Sequence, residues 1–281
     1  MKFVDVTNDI AFRKIFGNEN KKTALISFLN AVLDLKGNQI IADVAIKSPY
    51  LLPKYRGGKT TIVDVKATDI EGNTFIAEMQ VAEVKDFDKR VLYYASQSYT
   101  DQIERGDLYP NLKRIYFIGI LNFNITQNTN FLSRHKILDI VTGENLLENM
   151  EFNFIELKKF TKSEQEITTI IDQWVYFLKH AEDLEVVPES ITDKGLKEAF
   201  DQADRHNWSK QELEDYNKVF MREQDERGRF ELGMERAEKI GEARGEIKEQ
   251  QKIAKRLKEK GMEIDFIHEI TGLSVEDIEL L

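Results

Sequence analysis

The chain has no cysteine among its 281 residues. That excludes disulfides, thiolate zinc sites and cysteine nucleophiles. Long apolar runs are also missing. The longest, Ile115 to Leu121, falls far short of the roughly 20 residues a membrane-spanning helix needs. The opening MKFVDVTNDIAFRK contains no apolar segment of signal-peptide length. Together these absences set the expectation of a cytoplasmic chain with no membrane partner. Histidine is scarce: His135, His180, His206 and His268 show no metal-ligand spacing and no Ser or Cys elbow nearby. No glycine-rich phosphate-binding motif is present.

What is present is an ordinary globular composition, 41% hydrophobic with 10% aromatic residues, which excludes wholesale disorder. The length suits one large domain, or one domain with an appendage. The net charge of −10 is unevenly spread. Residues 1–160 carry 21 Lys+Arg against 20 Asp+Glu, leaving 19 against 30, a balance of −11, for the remainder. The later part would repel nucleic acid; the earlier part meets a polyanion only through a local basic patch.

Periodicity divides the chain in the same way. Thr7, Asn8 and Asp9 precede the apolar positions Ile10, Phe12, Ile15 and Phe16, a capped helix start. Ala24, Leu25, Phe28, Leu29, Val32 and Leu33 predict a second helix, ended by Gly37. The period then changes to two. One irregular strand is expected within Ile40 to Pro53, a second from Thr60 to Thr68 and a third from Thr74 to Val81. A helix from Phe87 to Gly106 follows, then a strand from Arg114 to Leu121 buried on both faces. Two more strands are expected at Lys136–Val141 and Phe152–Leu157, around a Thr-Gly-Glu-Asn turn.

The hairpin formed by strands two and three carries the chemistry. A loop of Ile70-Glu71-Gly72, with glycine left-handed, sets Asp64 opposite Glu78; a loop of Glu71-Gly72-Asn73 sets Asp64 opposite Gln80. In either register Asp64, Lys66, Glu78 and Gln80 share one sheet face, and Val63, Val65, Ala67, Phe75, Ala77, Met79 and Val81 share the other. Two carboxylates a strand spacing apart suit Mg²⁺, which takes oxygen ligands and completes its shell with water and phosphate oxygens. So held, the ion polarises a phosphodiester and helps generate the attacking hydroxide. On spacing alone, a cross-strand polar pairing on an exposed face explains the same residues, with Lys66 neutralising Asp64 or Glu78.

Context adds to the spacing. The order α-α-β-β-β-α-β, with TNDIAFRKIF at the start, IVDVKATDIEGNTFIAEMQV in the hairpin and RVLYYASQSYTDQIERGDLYPNLKRIYFIGILNF beyond it, resembles the PD-(D/E)XK nuclease superfamily. More narrowly, it is similar to the Rpn family of recombination-promoting nucleases and transposases. The likeness extends to the glycine-punctuated charged tail and the final ITGLSVEDI. It implies an α/β fold, a restriction-endonuclease-like mixed sheet flanked by helices, with an all-α C-terminal region. It also implies a metal-dependent DNA endonuclease using Mg²⁺ or Mn²⁺, linked to recombination or transposition. By the resemblance Asp64 and Glu78 are the metal-binding acids, the backbone carbonyl of Met79 is a further ligand, and Asp9 matches an acidic residue that the superfamily places on its first helix. Asp9 has a rival role in favourable interaction with the helix dipole. The superfamily's name-giving lysine is Gln80 here, as in the Rpn type. A neutral amide orients water but brings no positive charge to the transition state. Lys66 is the candidate substitute, and a surface ion pair is its alternative role.

Tyr94 and Gln97, three residues apart on the helix after the hairpin, are candidates for contact with DNA or a metal-bound water, or else pack that helix on the sheet. Arg56-Gly57-Gly58-Lys59 is a basic loop just before the Asp64 strand, placed for phosphate contact by Arg56 and Lys59, and equally an ordinary loop.

From about residue 161 the expectation is an acidic helical region: packing helices to 209, including an amphipathic helix from Ile167 to Leu178, then charged helices over 210–281. Gly228, Gly233, Gly241 and Gly245 interrupt the charged stretch and argue against one rigid rod, since glycine costs a helix roughly 1 kcal/mol against alanine. That stretch is either a solvated helix or one that approaches a second copy, giving a homodimer. Ile264 to Leu281 reads like a helix-turn-helix, but its second helix carries Glu276, Asp277 and Glu279 and no basic residue, which suits a packing or partner module. Beside the endonuclease reading stands a second: a weakly active or inactive nuclease fold acting through partner binding by its C-terminal helices.

Overall fold

The computed structural model describes residues 2–52 and 60–281. Its chain forms two compact units, Met1–Val219 and Phe220–Leu281. The first opens with α1 (Asp9–Phe16), where the Asn8 side chain accepts the Ile10 N–H at 3.0 Å, the expected cap. α2 (Thr23–Leu33) ends on Asp34 in the left-handed region, not on Gly37, which instead opens a short 3-10 turn over Gly37–Gln39. An aspartate tolerates that conformation better than most residues.

The strands are β1 (Val44–Lys47), β2 (Tyr50–Leu51), β3 (Thr61–Ile62), β4 (Val65–Asp69), β5 (Thr74–Gln80), β6 (Ile115–Leu121), β7 (Leu132–Ile137) and β8 (Leu147–Glu156). The main sheet has the order β1-β4-β5-β6-β8-β7, and β2 pairs β3 in a small second sheet. β5, β6 and β8 run parallel; β1, β4 and β7 pair antiparallel at the flanks. The sheet is mixed, as expected. Central β6 is buried on both faces, which explains its unbroken apolar run. The last hairpin is longer than its periodicity suggested: β7 starts at Leu132 and β8 at Leu147, and Gly143 sits at φ +74 in the connection. β7 is an edge strand with mostly exposed side chains, so it has little apolar alternation to read.

One face of the sheet packs on α1, α2 and two later helices, α4 (Ile170–His180) and α5 (Lys194–Ala203). The other face packs on α3 (Phe87–Thr100), which stops short of Gly106. The amphipathic helix of the later half is α4, opened by a capping box between Thr169 and Asp172. Its Trp174 and Phe177, with Phe200 of α5, pack on Phe16 and Phe28 in the principal core. The fold therefore does not divide near residue 160. Composition changes there because the remaining helices contribute only stripes, yet those stripes complete the first unit.

α6 (Lys210–Glu259) is one continuous helix of 50 residues, against the expectation drawn from its glycines. Strong helix formers around them offset the glycine penalty, and intrahelical pairs such as Lys239–Glu235 add small increments. Within the second unit, α7 (Ile264–Thr271) and α8 (Val275–Leu280) flank a left-handed Gly272 and a Ser274 cap, the expected helix-turn-helix-like end. Ala254, Ile267, Leu273 and Ile278 form a small core of that unit's own.

Candidate active site

The hairpin between β4 and β5 turns through Ile70-Glu71-Gly72. Asp69 N–H donates to Asn73 O at 3.1 Å, and Gly72, at φ +89, donates to Asp69 O at 3.2 Å. Asp69 Oδ1 accepts the N–H groups of Glu71 at 3.0 Å and Asn73 at 2.8 Å, which secures this loop against the alternative. The resulting register pairs Thr68 with Thr74 and Val65 with Ala77, and its next step brings Asp64 to Glu78.

At that step the strand bends. Residues 63 and 64 lie between β3 and β4, outside both strands. Val63 packs in the core beneath α3, while Val65 packs in the core on the opposite face. Strict alternation, which puts Val63 and Val65 on one face, fails here. The break turns the main chain of Asp64 toward Glu78: Asp64 N–H donates to Glu78 Oε2 at 3.0 Å, and Met79 N–H donates to Asp64 Oδ2 at 2.9 Å. The two acids are thereby interlocked, each accepting a backbone N–H. Met79 serves the pair through its N–H, its side chain lies in the core, and the parallel ladder pairs it with Ile120.

Both acids are buried, Asp64 at 9% exposure and Glu78 at 6%. Burial, and secondly the negative charge of Asp64, push the Glu78 carboxyl from an ordinary 4.5 up to about 8, against the Asp64 N–H, Arg90 and Arg13, which favour ionisation. Two arginines attend the pair. From α1, Arg13 places Nη2 at 2.7 Å and Nε at 3.1 Å from Asp64 Oδ1. Burial lowers the pKa of Arg13, but Asp64, Asp9 and Glu78 more than reverse this and hold it above its usual value. From α3, Arg90 Nη2 lies 3.9 Å from Glu78 Oε1, and its Nε and Nη2 donate to the Tyr94 hydroxyl at 3.3 and 3.2 Å.

Asp9 occupies the first turn of α1, one turn before Arg13, and its charge acts on that guanidinium. Among the described residues no three Asp, Glu or His side chains converge to hold one ion, so Asp9 does not join Asp64 and Glu78. Lys66 is half-buried; burial lowers its pKa, and the charge opposing that shift is Asp101, at the C-terminal end of α3. Gln80 ends β5, partly buried, with its carbonyl accepting Asn122 N–H. Tyr94 and Gln97 are buried at 7% and 9% exposure, and Gln97 Oε1 accepts the Thr61 hydroxyl at 3.3 Å. Tyr94 packs in the core between α3 and the main sheet, and Gln97 lies against Thr61 of β3. Arg56 and Lys59 lie outside the described residues.

The sequence reading passed over Arg13 and Arg90. Arg13 follows Asp9 by four residues, the spacing of one helical turn, and it interrupts the apolar run from Ile10 to Phe16 on α1. Nothing in that spacing names its partner, which is 51 residues away.

Residues 6–231 match the sequence model of the PD-(D/E)XK nuclease family transposases. The chain belongs to that family. A nuclease or transposase role follows at that level, and the mixed sheet flanked by helices is the fold that goes with it. The match ends before ITGLSVEDI, so the family likeness rests on the first unit and the beginning of the second. No curated protein and no solved structure matches the chain. No helix among the described residues is long and apolar enough to cross a membrane.

Proposed function

We propose that the chain is a divalent-metal-dependent DNA endonuclease, hydrolysing phosphodiester bonds in the service of recombination or transposition. The observation that carries this reading is the interlocked Asp64–Glu78 pair, two buried carboxylates of like charge, Glu78 accepting the Asp64 N–H and Asp64 accepting the N–H of Met79. Such a pair is unfavourable unless a proton or a cation reduces its charge. Its donors are hard oxygens, the set that Mg²⁺ and Mn²⁺ prefer. The residues therefore fit the ion that the family generally uses.

When bound, the metal supplies Lewis-acid polarisation of the phosphate and a more acidic water. Asp64 and Glu78 would hold it, Met79 N–H orients the Asp64 carboxylate, and Arg90 keeps a cation beside Glu78. Gln80, at the end of the same strand, is suited to orient a water and carries no charge. Plasmid nicking tests the reading: wild type nicks with Mg²⁺ or Mn²⁺ and stops with EDTA, while Asp64→Asn and Glu78→Gln each lose cleavage and retain the fold by circular dichroism. Activity that survives EDTA, or full activity in either variant, would remove the site.

A second reading, a weakly active nuclease fold that works through partner binding, draws on Gln80 and on the acidic helices that follow the nuclease region. Pull-down by residues 210–281 of a partner that binds equally well to Asp64→Asn would favour it.

A further inference from the structure

Hydrolysis of a phosphodiester places growing negative charge on the oxygens around phosphorus, and a preorganised cation there is among the largest contributions a protein makes. Position 80, where the superfamily's name-giving motif has lysine, is glutamine. Among the described residues, three cations near the hairpin invite comparison. Lys66 is half-buried, and Asp101 is the charge acting on it. Arg90 commits Nε and Nη2 to the Tyr94 hydroxyl and stays 3.9 Å from Glu78 Oε1. Arg13 touches Asp64 through Nε and Nη2, yet its side chain keeps 45% of its surface exposed. A guanidinium has five N–H bonds in a rigid fork. With two on Asp64 Oδ1, the others remain to donate to an incoming anion. The Cα of Arg13 is fixed, because Phe12, Ile15 and Phe16 are fully buried around it and Asn8 caps the helix.

We propose that Arg13 is a catalytic residue of this site, the cation that donates to the scissile phosphate in place of the motif lysine. This rests on the nuclease reading above. Asp64 then has two tasks: it presents a ligand oxygen to the metal, and through Oδ1 it aims the guanidinium of Arg13. The tasks compete, since a guanidinium on Asp64 lowers the negative potential that draws a divalent ion. Removing the charge at position 13 therefore has opposite effects on two measurable quantities. Metal uptake is kept or strengthened, while turnover falls. A merely structural Arg13 predicts that both weaken together with stability.

The test compares full-length wild type, Arg13→Gln and Arg13→Lys. Free Mn²⁺ is titrated by electron paramagnetic resonance, and single-turnover nicking is measured at saturating Mn²⁺, with melting followed by circular dichroism. Expected for Arg13→Gln is Mn²⁺ affinity equal to or several-fold tighter than wild type, with turnover reduced about tenfold or more. Arg13→Lys, which keeps the charge but not the fork, falls between the two. Turnover in Arg13→Gln within about twofold of wild type overturns the proposal, as does a rate loss that disappears on adding more Mn²⁺. If Arg13→Gln does not fold, Arg13→Lys decides: intermediate turnover with unchanged Mn²⁺ affinity supports the proposal, and wild-type turnover overturns it. A wild-type chain that neither takes up Mn²⁺ nor nicks overturns the nuclease reading itself, and this proposal with it.

Discussion

The backbone N–H of Asp64 donates to the carboxylate of Glu78 at 3.0 Å, so the main chain of one acid supports the side chain of the other. Neither could move without releasing its neighbour, because Met79 N–H closes the loop on Asp64 at 2.9 Å. The bend that breaks the strand at this point is what makes the exchange possible.

Glu78 makes the metal-free protein sensitive to alkali. Its folded pKa of about 8 lies above the ordinary 4.5, so the folded state holds the proton more tightly than the unfolded chain. The stability this gives is fully present below about pH 4.5 and is lost as pH rises through about 8. Each unit is worth about 1.4 kcal/mol, so the change is on the order of a few kcal/mol. The charged groups acting on Glu78 are Asp64, Arg90 and Arg13. Melting temperature in EDTA should fall between pH 6 and pH 8.5, Glu78→Gln should flatten that fall, and Mn²⁺ should stabilise the wild type more at pH 8.5. An equally steep decline in Glu78→Gln would show that another group is responsible.

Lys66 should be dispensable for chemistry. Asp101 is its electrostatic neighbour, and burial already disfavours its charge. Lys66→Met is expected to keep turnover within about twofold of wild type and to leave stability unchanged or slightly raised, since an imperfectly compensated buried charge is removed. A loss of tenfold, about 1.4 kcal/mol in barrier, would bring Lys66 back to the site.

The hairpin was legible because period-two alternation and a left-handed glycine are local signals. They narrowed the register to two, Asp64 opposite Glu78 or opposite Gln80; the Asp69 carboxylate, which accepts the N–H groups of Glu71 and Asn73, decides for Glu78. The bend at residues 63 and 64 was not legible, since nothing in Val63-Asp64-Val65 departs from alternation. Long-range contacts were equally silent: Arg13 meets Asp64, and Trp174 meets Phe16 and Phe28, across separations no window spans. The glycines of α6 misled because a propensity penalty of about 1 kcal/mol per residue is small against the rest of a long, charged helix.

Gly195 holds α2 and α5 together. A Cβ there would stand 2.4 Å from Ser27 Cβ and 2.5 Å from Thr23 O, and the second of these is backbone that cannot turn aside. Ser27 is itself fixed, donating to Asp193 at 2.7 Å and accepting Trp174 Nε1 at 3.1 Å. Gly195→Ala must push the helices apart at a cost of roughly 1–3 kcal/mol. That should lower the melting temperature by roughly 2–10 °C, with Mn²⁺ affinity retained below the transition. An unchanged melt would show that α5 moves freely over α2.

Residues 220–281 should govern assembly and not chemistry. The first unit runs to Val219, and α6 contributes to it through Tyr216, which is buried and accepts Asp5 N–H at 3.0 Å, and through Glu212, paired with Lys14. A cut at residue 210 would remove both contacts, so the informative truncation ends at Val219. The segment removed has its own small core and exposes Leu232, Ile240 and Ile247 on the charged helix, the apolar surface through which a second copy would pair. A two-fold dimer would present two hairpin sites to the two strands of a duplex. Residues 1–219 should therefore fold, run at lower mass than the full chain in light scattering, and retain nicking while losing double-strand cleavage. A truncated protein of unchanged oligomeric order would place assembly in the first unit instead.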